Sequence, residues 1–184
     1  MPTPAQWTRV RALLEARGAL EGRVVHPSAS ALDPEDRATL IQSLNQVLCD
    51  GIDLYSHVKV AHWNIRGPGF GALHPLFDSF SKDVSGFNDD IAERAVMLGG
   101  HVYATTAKVA EDTSLPEYPE DTVEDMEHVG NLIVSFEAYL ESLRGTRGLS
   151  EDLDDLDTLD MLTGMITTCE KHVWFLLATR DKAL

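Results

Sequence analysis

The chain has 184 residues, enough for one folded domain with a short appendage. Its formal net charge of -15 argues against a nucleic-acid-binding surface over the whole chain, and no apolar run is long enough to span a membrane. Residues 111–160 hold 16 acidic residues against two arginines, so the negative charge is concentrated there and attracts cations.

The chain begins with a predicted N-terminal arm over residues 1–30, partly helical or flexible, followed by a helical domain over residues 31–184. The first residues lack the charged-then-apolar layout of a signal peptide. The first long helix is predicted to start after Asp33, a good N-cap residue, with Pro34 in the first helical position. Apolar residues at helical spacing continue to about Trp63, where a Gly-Pro-Gly sequence ends the helix.

The second long helix is predicted to start near Ala72–Leu76, with Pro75 tolerated in its first turn, and to end at Leu98 before two glycines. A connection follows, with a short helix around Tyr103–Glu111. These two helices carry the residues that matter most for function.

The third helix is predicted to begin at a capping box formed by Asp121 and Glu124 and to run to about Leu143. Two glycines, at positions 145 and 148, are expected to break it. Ser150 is expected to cap the fourth helix, which runs to about Arg180.

No segment alternates between polar and apolar residues as a strand does. The pattern therefore predicts an all-α four-helix bundle with a short helix in the long connection between helices two and three. The two cysteines, Cys49 and Cys169, are isolated, and we interpret them as buried thiols in a reducing compartment.

Five potential metal ligands fall within the predicted first and second helices. They are His62, His74, Asp78, Asp89 and Glu93. They include two pairs with a spacing of four residues, His74 with Asp78 and Asp89 with Glu93, so the members of each pair share a helix face. Imidazole and carboxylate ligands without a thiolate suit iron or another first-row metal better than a structural zinc ion.

The length of the second helix constrains how these ligands can be used. Asp78 and Asp89 are 11 residues apart, which separates them by about 16 Å along one uninterrupted helix. No single ion can hold both from one chain. Either the two pairs are unrelated sites, or a second copy of the helix comes in antiparallel, with the small Ser85 and Gly86 permitting a close approach.

Another kind of metal centre is disfavoured. Di-iron carboxylate proteins with the metals inside one bundle use two Glu-x-x-His motifs and two further glutamates. Here Asp125-Met-Glu-His128 is only a near match, and Glu170-Lys-His172 has the wrong spacing.

The ligand residues and their neighbours resemble the ferroxidase signature of the Dps family, the DNA-protecting proteins of starved cells, or mini-ferritins. The resemblance rests on His-Trp-Asn-x-x-Gly from His62, Leu-His-x-x-Phe-Asp ending at Asp78, and Asp-x-x-Ala-Glu-Arg ending at Arg94. Lys59 and the Gly-Gly pair after the second helix also agree. The similarity covers about residues 33–180.

The resemblance implies a ferritin-like fold and a hollow homo-dodecamer, assembled through two-fold and three-fold contacts. Iron centres would lie at the two-fold interfaces, with His62, His74 and Asp78 from one subunit and Asp89 and Glu93 from its neighbour. Such proteins oxidise Fe(II), typically with hydrogen peroxide, and store the Fe(III) mineral, which protects against oxidative damage. A cytoplasmic or nucleoid-associated location is the corresponding expectation.

The resemblance also suggests roles beyond the five ligands. Lys59 and Trp63 would lie just outside them, and Trp63 either intercepts stray oxidising equivalents or simply packs in the core. The acidic run over residues 151–160 is expected to open the fourth helix, where the helix dipole favours negative charge. It is either a solvated face or the lining of a three-fold iron entry channel, to which Asp154 or Asp155, Asp157 and Asp160 would contribute.

Two alternatives remain. The first is a DNA-binding, nucleoid-packing stress protein with little ferroxidase activity; the arm has four arginines, no lysine and two glutamates, a weak basic segment against the acidic chain. The second is an arm metal site using His26 with Asp33 and Asp36. The remaining histidines have no assigned role: His57, His101, His128 and His172.

Overall fold

The structure, a computed structural model, describes residues 23–181, and within them the chain forms five α-helices and one isolated β-bridge. The helices are α1 Pro34–Asn64, α2 Phe70–Met97, α3 Thr106–Asp112, α4 Asp125–Asp152 and α5 Leu156–Arg180. The predicted all-α four-helix bundle is confirmed, and α3 is the short helix in its long connection. Residues 1–22 lie outside the described part, so the arm's organisation stays a prediction.

The four long helices form two hairpins, α1 with α2 and α4 with α5, and α1 packs against α4 between them. The core is apolar and aromatic, with Phe77, Phe80, Phe136 and Tyr139 among its fully buried side chains. None of the helices in residues 23–181 is long and apolar enough to cross a membrane. The bundle therefore buries one continuous hydrophobic core.

Helix α1 begins as predicted. The Asp33 carboxylate accepts hydrogen bonds from the backbone N–H groups of Glu35 and Asp36, which the first helical turn leaves without partners. The helix ends at Asn64 because the N–H of Arg66 donates to Val123 O at 3.1 Å rather than to the His62 carbonyl. That carbonyl is thereby left free for a side chain.

Helix α2 begins earlier than predicted, at Phe70 rather than near Ala72–Leu76. Gly67 adopts a φ of +130°, a conformation that side chains disfavour, so the chain turns sharply enough to start the helix at once. Pro75 consequently lies beyond the first turn, where its missing N–H interrupts one helical hydrogen bond without ending the helix.

The start predicted for the third long helix was wrong by three residues. Asp121 lies in a turn, and the capping box is formed by Glu124 and Glu127 instead. The physical reason is the bridge between Arg66 and Glu124, which keeps the chain extended up to the cap. The helix can therefore start only at Asp125.

The break predicted at positions 145 and 148 was also wrong, since α4 continues through both glycines to Asp152. Thr146 and Ser150 are buried on the same face, and burial outweighs the helix cost of two glycines, about 1 kcal/mol each. Ser150 is not a cap: its hydroxyl donates to Thr146 O within α4. Asp155 caps α5 instead, and the acidic run spans the turn as well as the helix start.

The two cysteines are free and buried within helices, as predicted. Burial raises the pKa of the Cys169 thiol to about 12, so this sulfur stays protonated and unreactive. Both thiols belong to the core.

Candidate metal centre

The two predicted histidine ligands lie together where α1 ends and α2 begins. Their rings stack with centroids 3.9 Å apart. Each Nδ1 lies 2.9 Å from the backbone carbonyl of the other residue, so His62 bonds to His74 O and His74 bonds to His62 O. The ring of Phe70 packs against His74 at 5.0 Å. The two helix ends are thus locked to each other through the ligand side chains.

These crossed contacts determine which ring nitrogens can bind a metal. A carbonyl oxygen only accepts hydrogen bonds, so both Nδ1 atoms must carry the proton. In neutral imidazoles the lone pairs then lie on Nε2 of His62 and Nε2 of His74. Holding one nitrogen with a backbone carbonyl is the usual way in which a metal-binding histidine is oriented. The two imidazole rings are therefore already oriented for binding a cation in the metal-free chain.

Asp78 lies one helical turn beyond His74 and is held by two lysines. Lys82 Nζ is 2.8 Å from Asp78 Oδ2, and Lys59 Nζ is 3.2 Å from Oδ1. The hydrogen bonds from Lys82 and Lys59, in that order, lower the pKa of Asp78 to about 2. The Asp78 carboxylate is therefore ionised, as a metal ligand must be. In the metal-free chain the lysine ammonium groups contact the two oxygens that would bind a cation.

The second pair, Asp89 and Glu93, lies further along α2. Both residues are exposed, and no hydrogen bond or ion pair within residues 23–181 holds either of them. Two unpaired carboxylates on neighbouring turns repel each other unless a cation lies between them. Ser85 and Gly86 are exposed on the same helix, and a side chain at position 86 would meet nothing within 4 Å.

The five predicted ligands therefore form two separate groups in one chain. In the part of the chain that the structure describes, no group of three or more His, Cys, Asp or Glu side chains could hold a metal ion. His26, Asp33 and Asp36 do not form the alternative arm site there, and Asp125 with His128 does not form a di-iron site. Lys82, four residues after Asp78, was not among the predicted site residues.

Comparison with known proteins decides the family. A family model described as a ferritin-like domain matches residues 41–183. A "DNA protection during starvation protein" of Agrobacterium fabrum is 34% identical over 153 residues, covering 83% of this chain and 94% of that protein. The chain belongs to the Dps family. Membership of this ferritin-like family places it among iron-storage and stress-protection proteins.

Solved structures of Dps proteins have the same fold. DpsC from Streptomyces coelicolor superimposes with a TM-score of 0.82 at 29% identity, covering 89% of this chain and 95% of that one. Dps from Vibrio cholerae, described as a member of the ferritin-like diiron-carboxylate superfamily, superimposes with a TM-score of 0.77 at 25% identity, covering 82% and 94%. The suspected Dps resemblance is thus confirmed.

The acidic run of this Dps chain lies at the opposite end of the bundle from the histidines. Asp155 is buried: it accepts two bonds from Arg94 Nη2, at 2.7 and 2.9 Å, and two from Thr158, one from its hydroxyl and one from its backbone N–H. Burial opposes its ionisation, but these contacts prevail and lower the pKa of Asp155. Asp155 therefore holds the α4–α5 turn, and Asp154, with a φ of 57°, is the exposed member of the pair.

Three of the four histidines without a predicted role are buried in this Dps chain and contact other side chains of the bundle. His57 Nδ1 lies 3.0 Å from Ser135 Oγ, His128 Nδ1 lies 2.7 Å from the Tyr118 hydroxyl, and His172 Nε2 lies 3.1 Å from Asp83. All three histidines are buried, and desolvation lowers the pKa of each.

Trp63 cannot be a core residue, because 69% of its surface is exposed. The Lys59 ammonium lies 5.9 Å from its ring centroid, within the range of a cation–π contact. The tryptophan is therefore tied through Lys59 to Asp78, beside the candidate ligands.

Proposed function

We propose that this Dps chain is a ferroxidase whose iron centre is assembled from two subunits. One observation carries the proposal: contacts hold His62, His74 and Asp78 where α1 ends and α2 begins, whereas Asp89 and Glu93, further along α2, have no hydrogen-bond or ion-pair partner among residues 23–181. Among residues 23–181, no three of these side chains come together as a group that could hold a metal ion within one chain. A two-fold axis near the middle of α2 would bring one group against the other and produce two identical sites.

The residues fit Fe(II) as the substrate of this site. The Nε2 atoms of His62 and His74 bind Fe(II), and the hard oxygens of Asp78 and Glu93 favour the Fe(III) product. Asp89 orients the site or holds a second iron. Hydrogen peroxide is the proposed oxidant, with two Fe(II) ions each losing one electron and the peroxide being reduced to water. Removing both reactants together limits hydroxyl radical formation.

We also propose that twelve copies enclose a cavity in which Fe(III) is stored. Asp154, Asp157 and Asp160 are exposed on the acidic turn and the start of α5, and they are the candidates for a cation entry channel at a three-fold axis. The negative charge concentrated between residues 111 and 160 would draw Fe(II) towards it. The mass of the native particle tests the assembly: a monomer would contradict both the shell and the shared centre.

A mixing experiment tests the shared centre directly. One variant carries His62→Ala and Asp78→Ala, the other carries Asp89→Ala and Glu93→Ala, and each alone should oxidise Fe(II) no faster than buffer. Random co-assembly in equal amounts makes half of the two-fold pairs mixed, and each mixed pair regains one of two sites. The optical rate of Fe(III) formation should then return to about one quarter of wild type.

A site within one chain predicts a different result, because mixing two defective chains would restore nothing. Equal Fe(II) oxidation by wild type and by the first variant would overturn the ferroxidase proposal itself. A variant with Asp121→Ala, an exposed carboxylate in a turn, serves as the control for the loss of negative charge.

DNA packing is the weaker candidate function for this chain. Relatives named DNA protection during starvation proteins are similar to it, but the net charge of -15 opposes binding to phosphates. The only basic counterweight from the sequence is the arm, most of which lies outside the described residues. A gel shift in low salt with full-length and arm-deleted protein decides it: retardation that depends on the arm would support DNA binding.

A further inference from the structure

A buried carboxylate lies behind the turn that joins α1 to α2. Asp125, the first residue of α4, is 6% exposed. Its Oδ2 accepts a hydrogen bond of 2.6 Å from Gly69 N, and its Oδ1 accepts one of 2.8 Å from Met126 N. No cationic side chain among residues 23–181 forms an ion pair with it, so backbone N–H groups supply the compensation that a buried charge requires.

The turn is shaped around this carboxylate. A Cβ atom placed on Gly67 would lie 2.7 Å from both Asp125 Cγ and Asp125 Oδ2, and one on Gly69 would lie 2.9 Å from Oδ2. These distances are shorter than real side-chain contacts, so the backbone approaches the carboxylate as closely as glycine permits. Gly67 also has a φ of +130°, which only glycine adopts readily.

A second contact ties the same turn to the start of α4. The N–H of Arg66 donates a hydrogen bond to Val123 O at 3.1 Å. This bond belongs to the isolated β-bridge between Arg66 and Glu124. The segment from Arg66 to Gly69 is thus held at both of its ends by residues 123–125. The position of this segment is set by α4 and not by the α1–α2 hairpin alone.

The histidine pair depends on the position of that segment. The two crossed hydrogen bonds each span 2.9 Å between the end of α1 and the start of α2. A shift of about 1 Å between those helix ends lengthens both contacts beyond hydrogen-bonding range. The rings would then be free to rotate and to exchange the proton between Nδ1 and Nε2, which removes the prepared pair of lone pairs.

We propose that Asp125 is a positioning residue for the His62/His74 half of the iron site. It acts through the Gly67–Gly69 turn and touches neither histidine. The inference rests on the proposed function, since it assigns Asp125 to the same metal centre. It places the start of α4 in the supporting structure of a site whose ligands all lie on α1 and α2.

The test measures metal binding and histidine protonation in the assembled full-length protein, with Co²⁺ as the probe. Asp125→Ala removes the acceptor for Gly69 N–H, and we expect Co²⁺ affinity to fall by about 10-fold, the low end of the loss when a group that orients a ligand directly is removed, because Asp125 acts on the histidines only through the turn. Nitrogen NMR of the metal-free protein should show that His62 and His74 no longer keep the proton on Nδ1. Asp125→Asn keeps one acceptor oxygen and should lie between wild type and Asp125→Ala.

A matched control separates positioning from general stability. Ser150→Ala removes a buried hydroxyl in the same helix, far from the turn, and should lower the unfolding temperature while leaving Co²⁺ affinity and the histidine tautomers unchanged. Wild-type Co²⁺ affinity in Asp125→Ala would overturn the inference, and so would equal losses in the two variants. If the wild type binds Co²⁺ but does not oxidise Fe(II), the ferroxidase proposal is overturned. The role of Asp125 is then still decided by comparing the Co²⁺ affinities of wild type and Asp125→Ala.

Discussion

The two halves of the candidate iron site differ in how much structure one chain supplies. The histidine half is held by two crossed hydrogen bonds, a ring stack and two lysine contacts to Asp78. The carboxylate half, Asp89 with Glu93, is exposed and has no such support in the described residues. One half is therefore preorganised by the fold, whereas the other gains a partner only through a cation or a second subunit.

The largest expected difference separates ligand removal in the two halves. His74→Ala should abolish metal binding and also lower the free energy of unfolding by about 1–2 kcal/mol, because it leaves the His62 carbonyl without its side-chain donor and removes the ring that stacks on His62. Glu93→Ala should abolish Fe(II) oxidation but change the unfolding free energy by less than about 0.5 kcal/mol, as expected at an exposed site. Denaturant unfolding of the metal-free proteins measures both. Equal stability losses would contradict the contrast between the halves.

Strain in the turn should affect the histidine half alone. Gly67→Ala forces an alanine into a φ of +130° and against Asp125, so we expect a loss of about 1–3 kcal/mol in unfolding free energy. Co²⁺ affinity should fall with it. Gly145→Ala, at an exposed position of α4 with open space around it, is the matched control and should stabilise the chain slightly while leaving Co²⁺ affinity unchanged. A neutral Gly67→Ala would show that the turn does not hold the site.

The lysines should compete with the metal for Asp78. Lys59→Met removes a half-buried ammonium and should raise Co²⁺ affinity several-fold, whereas Lys82→Met removes one whose side chain is 75% exposed and screened by water. The smaller increase is therefore expected for Lys82→Met. Lys108→Met, on α3, is the control for charge alone. Isothermal titration calorimetry measures the affinities, and weaker binding in Lys59→Met would mean that the lysine assists the ligand.

Acid should loosen the histidine end of the bundle first. Buried His57, His128 and His172 have pKa values below their ordinary 6.5, so the unfolded chain binds more protons than the folded one. Their stabilising contribution is complete above about pH 6.5 and is lost as pH falls through the folded pKa values. The unfolding temperature should drop by a few degrees between pH 7.5 and 5.

Removing one of these histidines should flatten that pH dependence. His172→Phe fits a site that already packs against Phe80 and Phe136, whereas His26→Gln changes an exposed histidine and should leave the pH slope as it is. Asp53, Asp83 and Glu127 oppose the shifts and keep them modest. Hydrogen exchange at pH 5 should locate the opening near the start of α4, and uniform opening would contradict the assignment to one end.

Much of the fold followed from local pattern, and the errors share one cause. The Asp33 cap at the start of α1 was predicted correctly because it depends on neighbouring residues alone. The start of α4 was not, because the bridge from Arg66 to Glu124 comes from a distant part of the chain. The glycines at 145 and 148 were misread because burial of one helix face outweighs their intrinsic cost.

The candidate site divides in the same way. Sequence alone determined the five ligand types and the helix length that prevents Asp78 and Asp89 from sharing an ion within one chain, since the helical rise is the same in every protein. Only the tertiary structure decided which imidazole nitrogens are free, which lysines hold Asp78, and that Asp125 supports the turn. Except for the contact of Lys82, which is four positions from Asp78 on the same helix, those contacts join residues 12 to 56 positions apart, and their distances depend on how the helix ends pack.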